Sequence, residues 1–268
     1  MKNKFLALTF LALLAATCAF AMGPAPHLPG ILELQTKINA DLNRLDNDTK
    51  QTAEKLGSLD LTGPDANALL KGLYNDNNFV VNAVIVDLKG NIIAVGQDRY
   101  QGSIGENLSG QDHIIKLFKT GKPVLSSLFK TVEGFYAISL AYPISSAGGK
   151  TAGYLSVVFR PDTMMGNIIN PYLANTPGVE VLAIQEDGLI IYDKDIMQIG
   201  KLTFSDPLYQ NYPQLLKMAK QVTLQDSGTG TYEFPAGFGQ LPVAKTTEWT
   251  TISLHGTEWR LIVSKTEK

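Results

Sequence analysis

Asp87-Leu88-Lys89-Gly90-Asn91-Ile92-Ile93, followed by Ile104-Gly105, has a counterpart later in the chain: Glu186-Asp187-Gly188-Leu189-Ile190-Ile191, followed by Ile199-Gly200. In each stretch a glycine-containing polar turn joins two runs rich in β-branched residues, the pattern of a hairpin. Working outward from the first, Phe79–Val86 and Ile92–Val95 read as its strands. A helix is expected over Gln111–Lys119, stopped by Gly121 and Pro123, and strands over Val124–Phe129, Phe135–Ile144 and Thr151–Phe159. The second half repeats this order with strands at Val179–Gln185 and Leu189–Tyr192, a helical stretch over Pro207–Lys220, and strands at Thr231–Phe234, Ala244–Leu254 and Trp259–Val263. Ahead of both, Ile31, Leu34, Ile38, Leu42, Leu45, Ala53 and Leu56 recur three or four apart over most of their run. They predict one long amphipathic helix, and Ala66–Tyr74 a shorter one. Hairpin turns are too short for parallel crossovers, so the fold class is α+β, a long N-terminal helix followed by two similar antiparallel units.

Composition narrows the function. The 268 residues are 44% hydrophobic and 18% charged, enough apolar content for a core, and a formal net charge of -2 gives no basic excess for nucleic acid, which is not expected as a partner. One cysteine forms no internal disulfide or thiolate zinc site. His27, His113 and His255 fit no metal-ligand spacing, so neither a metal nor a cofactor is expected. Lys2 and Lys4 precede an apolar run from Phe5 to Phe20 that closes on Ala19-Phe20-Ala21, a secretory signal with an A-x-A site. Residues 1–21 are therefore expected to be removed, leaving a mature chain from Met22 without cysteine, periplasmic or secreted. A retained signal would make the protein membrane-anchored, and Ala15-Ala16-Thr17-Cys18 is a looser lipoprotein-like alternative.

Asp87-Leu88-Lys89-Gly90, Ile104-Gly105-Glu106-Asn107-Leu108-Ser109, Thr120-Gly121-Lys122-Pro123-Val124, Ala141-Tyr142-Pro143-Ile144 and Gly153-Tyr154-Leu155 carry a further signal through their order and spacing. So do Ile199-Gly200, Asp206-Pro207-Leu208-Tyr209 and the stretch from Trp249 to Trp259-Arg260-Leu261. Together they resemble the double Cache family of extracellular sensor domains, in which two PAS-like antiparallel-sheet modules follow a long helix. The resemblance implies an N-terminal helical region at 22–78, a membrane-distal-type module at 79–170 and a membrane-proximal-type module at 171–268. It also implies a small-molecule ligand, bound in the first module and reported through a membrane receptor or kinase. The sequence ends at Lys268 with neither, so the module is expected to act alone or to hand its liganded state to a membrane receptor or kinase. The alternative is an extracytoplasmic interaction protein with vestigial pockets that forms a homodimer through the stripe of Ile31–Leu56.

In the branch of that family that recognises amino acids, an arginine and an aromatic hold the carboxylate and acidic residues hold the ammonium. By that resemblance the arginine position falls on Gln111 and the aromatic on His113. A tyrosine and acidic pair falls on Phe129 and Thr131, and the last acidic position on Val158. These substitutions make α-amino acids poor ligands and favour a neutral or weakly anionic molecule, urea-like, carboxylate or purine-type. Tyr136, Ser139 and Ser156 lie on strands expected to border the same cavity, with a carboxylate met by protonated His113 as one case. The ordinary readings stand beside these: Gln111 as a helix cap, His113 as a partly exposed histidine, Phe129 as core. The fallback site is the second module around Tyr192, Tyr209 and Trp249. No catalytic constellation is present: Gly149-Lys150-Thr151 lacks the first glycine of a phosphate loop, Asp193-Lys194-Asp195 lacks calcium-hand spacing, and no Gly-x-Ser-x-Gly elbow occurs. The chain is not expected to be an enzyme.

Overall fold

The computed structural model describes residues 28 to 267 except 29, 132 and 236–239. The expected signal peptide and the start of the mature chain lie outside the described residues. Helix α1 (Ile31–Leu56) opens at Gly30, whose φ of 87° places it in the left-handed region, and closes at Gly57. A Cβ on Gly57 would collide with the carbonyl oxygen of Ser145, so glycine there lets the helix end meet a strand backbone. Helix α2 (Pro64–Asn75) starts with proline in its first turn, where the missing N–H costs nothing.

The first sheet has the order β2-β1-β6-β5-β3, and β4 pairs with β5. Its strands are β1 (Val80–Val86), β2 (Ile92–Val95), β3 (Val124–Leu125), β4 (Phe129–Lys130), β5 (Tyr136–Ser145) and β6 (Thr151–Phe159), with α3 (Asp112–Thr120) between β2 and β3. After α4 (Pro161–Ala174), the second sheet has the order β8-β7-β11-β10-β9. It comprises β7 (Val179–Gln185), β8 (Ile190–Asp193), β9 (Gly228–Pro235), β10 (Pro242–Leu254) and β11 (Thr257–Thr266), with α5 (Pro213–Leu224) before β9. Every pairing is antiparallel.

The repeat seen in the sequence is a repeat of hydrogen bonds. Gly105 N donates to Ile92 O and Gly200 N to Ile190 O, both at 2.9 Å, while Leu108 N reaches Gly90 O (2.7 Å) and Thr203 N reaches Gly188 O (3.0 Å). Each unit also carries a bulge at the same place, between Ile85 and Val86 in one and between Ala183 and Ile184 in the other.

The main core joins the inner faces of both sheets to α1, α2 and α4, and smaller clusters lie under α3 on the outer face of the first sheet and under α5 on that of the second. Ile31, Leu34, Ile38, Leu42, Leu45, Ala53 and Leu56 are all buried, and α1 lies across β5 and β6 as well as β10 and β11. The stripe that suggested self-pairing is thus consumed within one chain: its length matches two sheets, not a second copy. Where β10 and β11 meet, Leu254 pairs with Thr257 around a turn whose His255 and Gly256 both have positive φ, 51° and 77°. There Asp46 Oδ1 on α1 takes the Tyr142 hydroxyl of β5 and lies against His255 Nε2, both at 2.6 Å, tying helix and both sheets together.

Most strand ends shift by a few residues, and three larger differences from the sequence reading have physical reasons. The strand expected over Val124–Phe129 is two short ones, because Ser126 leaves the ladder: its N–H bonds Ser139 O and its hydroxyl takes Ser139 N. The helix expected from Pro207 begins at Pro213, since a residue before proline is pushed out of the helical region. Helix α4 was not expected. Gly166 and Pro171 interrupt its pattern, and it forms because Met164, Met165 and Ile169 are buried in the main core.

Replacing Leu45 by alanine is expected to destabilise the chain by about 3 kcal/mol in urea unfolding, the cost of lost burial plus a cavity. Replacing Leu32, exposed on the opposite face, is expected to change stability by no more than ~0.5 kcal/mol.

Candidate functional site

A cavity of ≈ 140 Å³ lies on the outer face of the first sheet, walled by β1, β5 and β6 and covered by the segment around Tyr100, the start of α3 and Phe129, Thr131, Glu133 and Phe135. Of the residues singled out from sequence, Gln111, His113, Phe129, Thr131, Ser139 and Val158 line it, together with Ser156. Tyr136 does not. Alternation along β5 sends Ser139 outward and Tyr136 inward, where its ring packs on the main core beside Gly200 of the second unit.

The polar groups are held from several elements. Gln111 precedes α3 without capping it, which removes the cap reading and leaves its amide at the cavity edge. His113, 9% exposed, stacks on Phe129 with centroids 6.2 Å apart and planes at 11°. Burial lowers its pKa to about 4 against a smaller opposing effect of Asp112. His113 is therefore neutral near pH 7 in this cavity, which weighs against a protonated histidine facing a carboxylate. Thr131 Oγ1 is buried without a hydrogen-bond partner among the described residues. Ser139 and Ser156 hydroxyls pair across β5 and β6 at 2.8 Å.

Asn82 and Glu133 also line the cavity, and sequence reasoning passed over both. Asn82 follows a register shift in β1 and accepts Ala83 N (2.9 Å) and Gln97 N (3.3 Å) on Oδ1, which leaves its NH2 group unpaired among the described residues. A signal was present: Asn82 is the one polar residue in Val-Val-Asn-Ala-Val-Ile-Val. Glu133 stands exposed at the rim and puts a negative charge where the alignment left none. No lysine or arginine is among the lining residues.

Strand register shows which residues of the second unit stand at the positions that wall the cavity in the first. Asn82 pairs with Val158 and Val158 with Ser139; the matching trio is Glu180, Ser264 and Thr247. Ala141, opposite Ser156, corresponds to Trp249, opposite Ile262. Two residues back from Ser139 and Thr247 stand Ala137 and Lys245. Trp249 and Lys245, both buried, stand where the first unit has two alanines. Lys245, 1% exposed, is bonded to Glu180 at 2.6 and 2.8 Å, as a buried cation requires. The fallback residues are occupied as well: Tyr192 donates to Asn170 (3.2 Å), Tyr209 to Gln198 (2.6 Å) and Trp249 Nε1 to Gln225 O (3.1 Å). Among the described residues no group of three or more His, Cys, Asp or Glu is placed to hold a metal ion, and no helix is long and apolar enough to cross a membrane.

This fold and cavity define a small-molecule sensor module. Residues 40–161 match the family model described as HK/GC/chemotaxis protein-like, sensor domain. Among solved structures, the chain is similar to an extracellular ligand binding receptor from Desulfohalobium retbaense, with 34% identity and a TM-score of 0.73 over 89% of this chain and 41% of that one. The periplasmic sensory domain of the Campylobacter jejuni chemoreceptor Tlp1 shares 12% identity at a TM-score of 0.61, covering 88% of this chain and 92% of that one. The ligand binding domain of the Pseudomonas aeruginosa amino acid chemoreceptor PctC, solved with GABA, shares 13% identity at a TM-score of 0.62, covering 87% and 96%. At these lower identities the likeness is one of fold. No curated protein matches the sequence. Residues 40–161 thus match a sensor-domain family, and the long helix followed by two PAS-like modules is the fold of Cache-type chemoreceptor sensor domains.

Because burial depresses His113 from 6.5 to about 4, the unfolded chain binds a proton there that the folded chain refuses. Its contribution is complete above about pH 6.5 and is lost as pH falls toward 4, to a total of about 3 kcal/mol. Asp193, pushed up to about 6 by burial, acts with the opposite sign, losing stability as pH rises through 6. The readout is therefore the difference between parent and His113→Phe in urea unfolding from pH 4 to 7: the parent's curve should rise more steeply with pH.

Proposed function

We propose that the chain is an exported sensor module that binds a small neutral molecule in the cavity of its first, membrane-distal-type unit and passes the liganded state to a membrane receptor or kinase. The observation that carries this reading is a cavity lined by the Thr131 hydroxyl, buried without a partner among the described residues, with the Asn82 amide and the neutral His113 ring beside it. Unmade hydrogen bonds of buried groups cost stability, and a ligand offering donors and acceptors recovers it. The volume is close to that of an engineered cavity of about 150 Å³ that takes benzene, which sets the scale at roughly six non-hydrogen atoms. Glu133 at the rim and the absence of lining cations favour a neutral ligand over a weakly anionic one. The amino acid chemoreceptors among the similar structures support a small-molecule role, while Gln111 and Val158 argue for a different ligand. The second unit serves as the membrane-proximal-type support.

A thermal-shift screen against small neutral amides, ureas and heterocycles is expected to yield one class that raises Tm, with about 2.7 kcal/mol of stabilisation at a hundredfold excess over Kd. Asn82→Leu and Thr131→Val should each abolish most of that shift. A flat screen would favour the interaction-protein reading instead. Export is tested separately: the intact mass of protein recovered outside the cytoplasm should correspond to a chain starting at Met22, and a mass retaining Met1 in membranes would establish the anchored form.

A further inference from the structure

The cavity of the first unit has two unlike ends, and strand register fixes which side chains stand at each. Asn82, Val158 and Ser139 lie side by side across β1, β6 and β5, and Val84 pairs with Ser156 two residues farther along β1. Beyond the pairing of Phe129 with Ala137, Thr131 N donates to Phe135 O (2.8 Å), so Thr131 and Glu133 lie toward the Asn82 end and away from Val84. At the other end Ile92 pairs with Val86, and Leu108 N donates to Gly90 O (2.7 Å). Val84, Ile92 and Leu108 all pack in the apolar cluster under α3. The lining therefore runs from a polar end at Asn82, Thr131 and Glu133 to an apolar end at Val84, Ile92 and Leu108.

The serines of the wall are already engaged: the Ser139 and Ser156 hydroxyls pair with each other, and the Ser103 hydroxyl donates to Tyr100 O, both at 2.8 Å. Asn82 Oδ1 accepts two backbone N–H groups, so what its amide can offer a ligand is NH2, a donor. Thr131 Oγ1 is buried without a hydrogen-bond partner among the described residues. Glu133 at the rim, when ionised, only accepts. A molecule that meets this end presents a carbonyl oxygen to Asn82 and Thr131 and an N–H beside it to Glu133. An ammonium group would leave water for a wall with no buried counter-charge, and a carboxylate would face Glu133. The apolar end asks for hydrocarbon, and a volume that holds roughly six non-hydrogen atoms leaves room for about three carbons there.

We infer that the ligand is a short aliphatic primary amide, its carbonyl oxygen and NH2 group at Asn82, Thr131 and Glu133 and its alkyl tail between Val84, Ile92 and Leu108. This rests on the reading that the cavity takes a ligand, and it sets the amide apart from urea, which matches the polar end and has no tail.

The test titrates acetamide, propanamide and butanamide into the full mature chain and follows the backbone amide NMR signals of the cavity lining. Each added methylene should tighten binding about fourfold. N,N-dimethylacetamide has the same atoms as butanamide without an N–H, and butanoate carries an anionic oxygen in place of the NH2; each should bind about tenfold or more weakly than butanamide. Glu133→Gln should narrow the preference for butanamide over butanoate about fivefold, which a merely structural role at the rim would leave unchanged. Equal affinity along the amide series, or N,N-dimethylacetamide or butanoate binding as tightly as butanamide, overturns the amide. Shifts of the same signals by a urea or a heterocycle, with none by butanamide, overturn the amide and leave the sensor reading standing, whereas a lining that responds to no small molecule overturns both.

Discussion

Burial of one face of α1 against two sheets at once is the constraint from which the rest of the structure follows. Each fully buried leucine or isoleucine on that face contributes about 2 kcal/mol, and the face runs from Ile31 to Leu56 without an exposed gap among its apolar members. Neither sheet could shield its inner residues alone. Because the helix covers both, the outer faces are left for α3 and α5, and there the two units are free to differ.

They differ in volume more than in design. Both keep the hairpin with its bulge, the glycine that returns the loop to the strand, and the strand order. Alanine stands at 137 and 141 in one, lysine at 245 and tryptophan at 249 at the matching places in the other. Gly228 belongs to the same adjustment, since a Cβ there would strike the Trp249 ring.

Much of this was legible in the sequence. The spacing of Ile31 to Leu56 defines α1 with its observed ends, and the doubled turn with Ile-Gly defines the repeat, because both depend on local geometry that a few residues impose. Helix α4 was not legible: Gly166 and Pro171 argue against it, and only packing on the main core stabilises it. At the cavity, positions carried over along the chain placed Gln111, His113, Phe129, Thr131, Ser139 and Val158 near the same space, but alternation on β5 turned Tyr136 away. The neutral state of His113 depends on burial, which no sequence pattern displays. Asn82 could have been found from its isolation among apolar residues, whereas Glu133 comes from a loop whose path no periodicity describes.

The Asp46, Tyr142 and His255 contact has a consequence for how the chain can change over time. A left-handed position in a two-residue turn suits asparagine or glycine, and histidine is the less comfortable tenant. Its ring reaches what those residues could not, the carboxylate of a helix and the phenol of the neighbouring sheet. Local ease is given up here for a long-range tether, so drift toward the residue that best fits the turn would loosen the molecule at the place where its halves communicate.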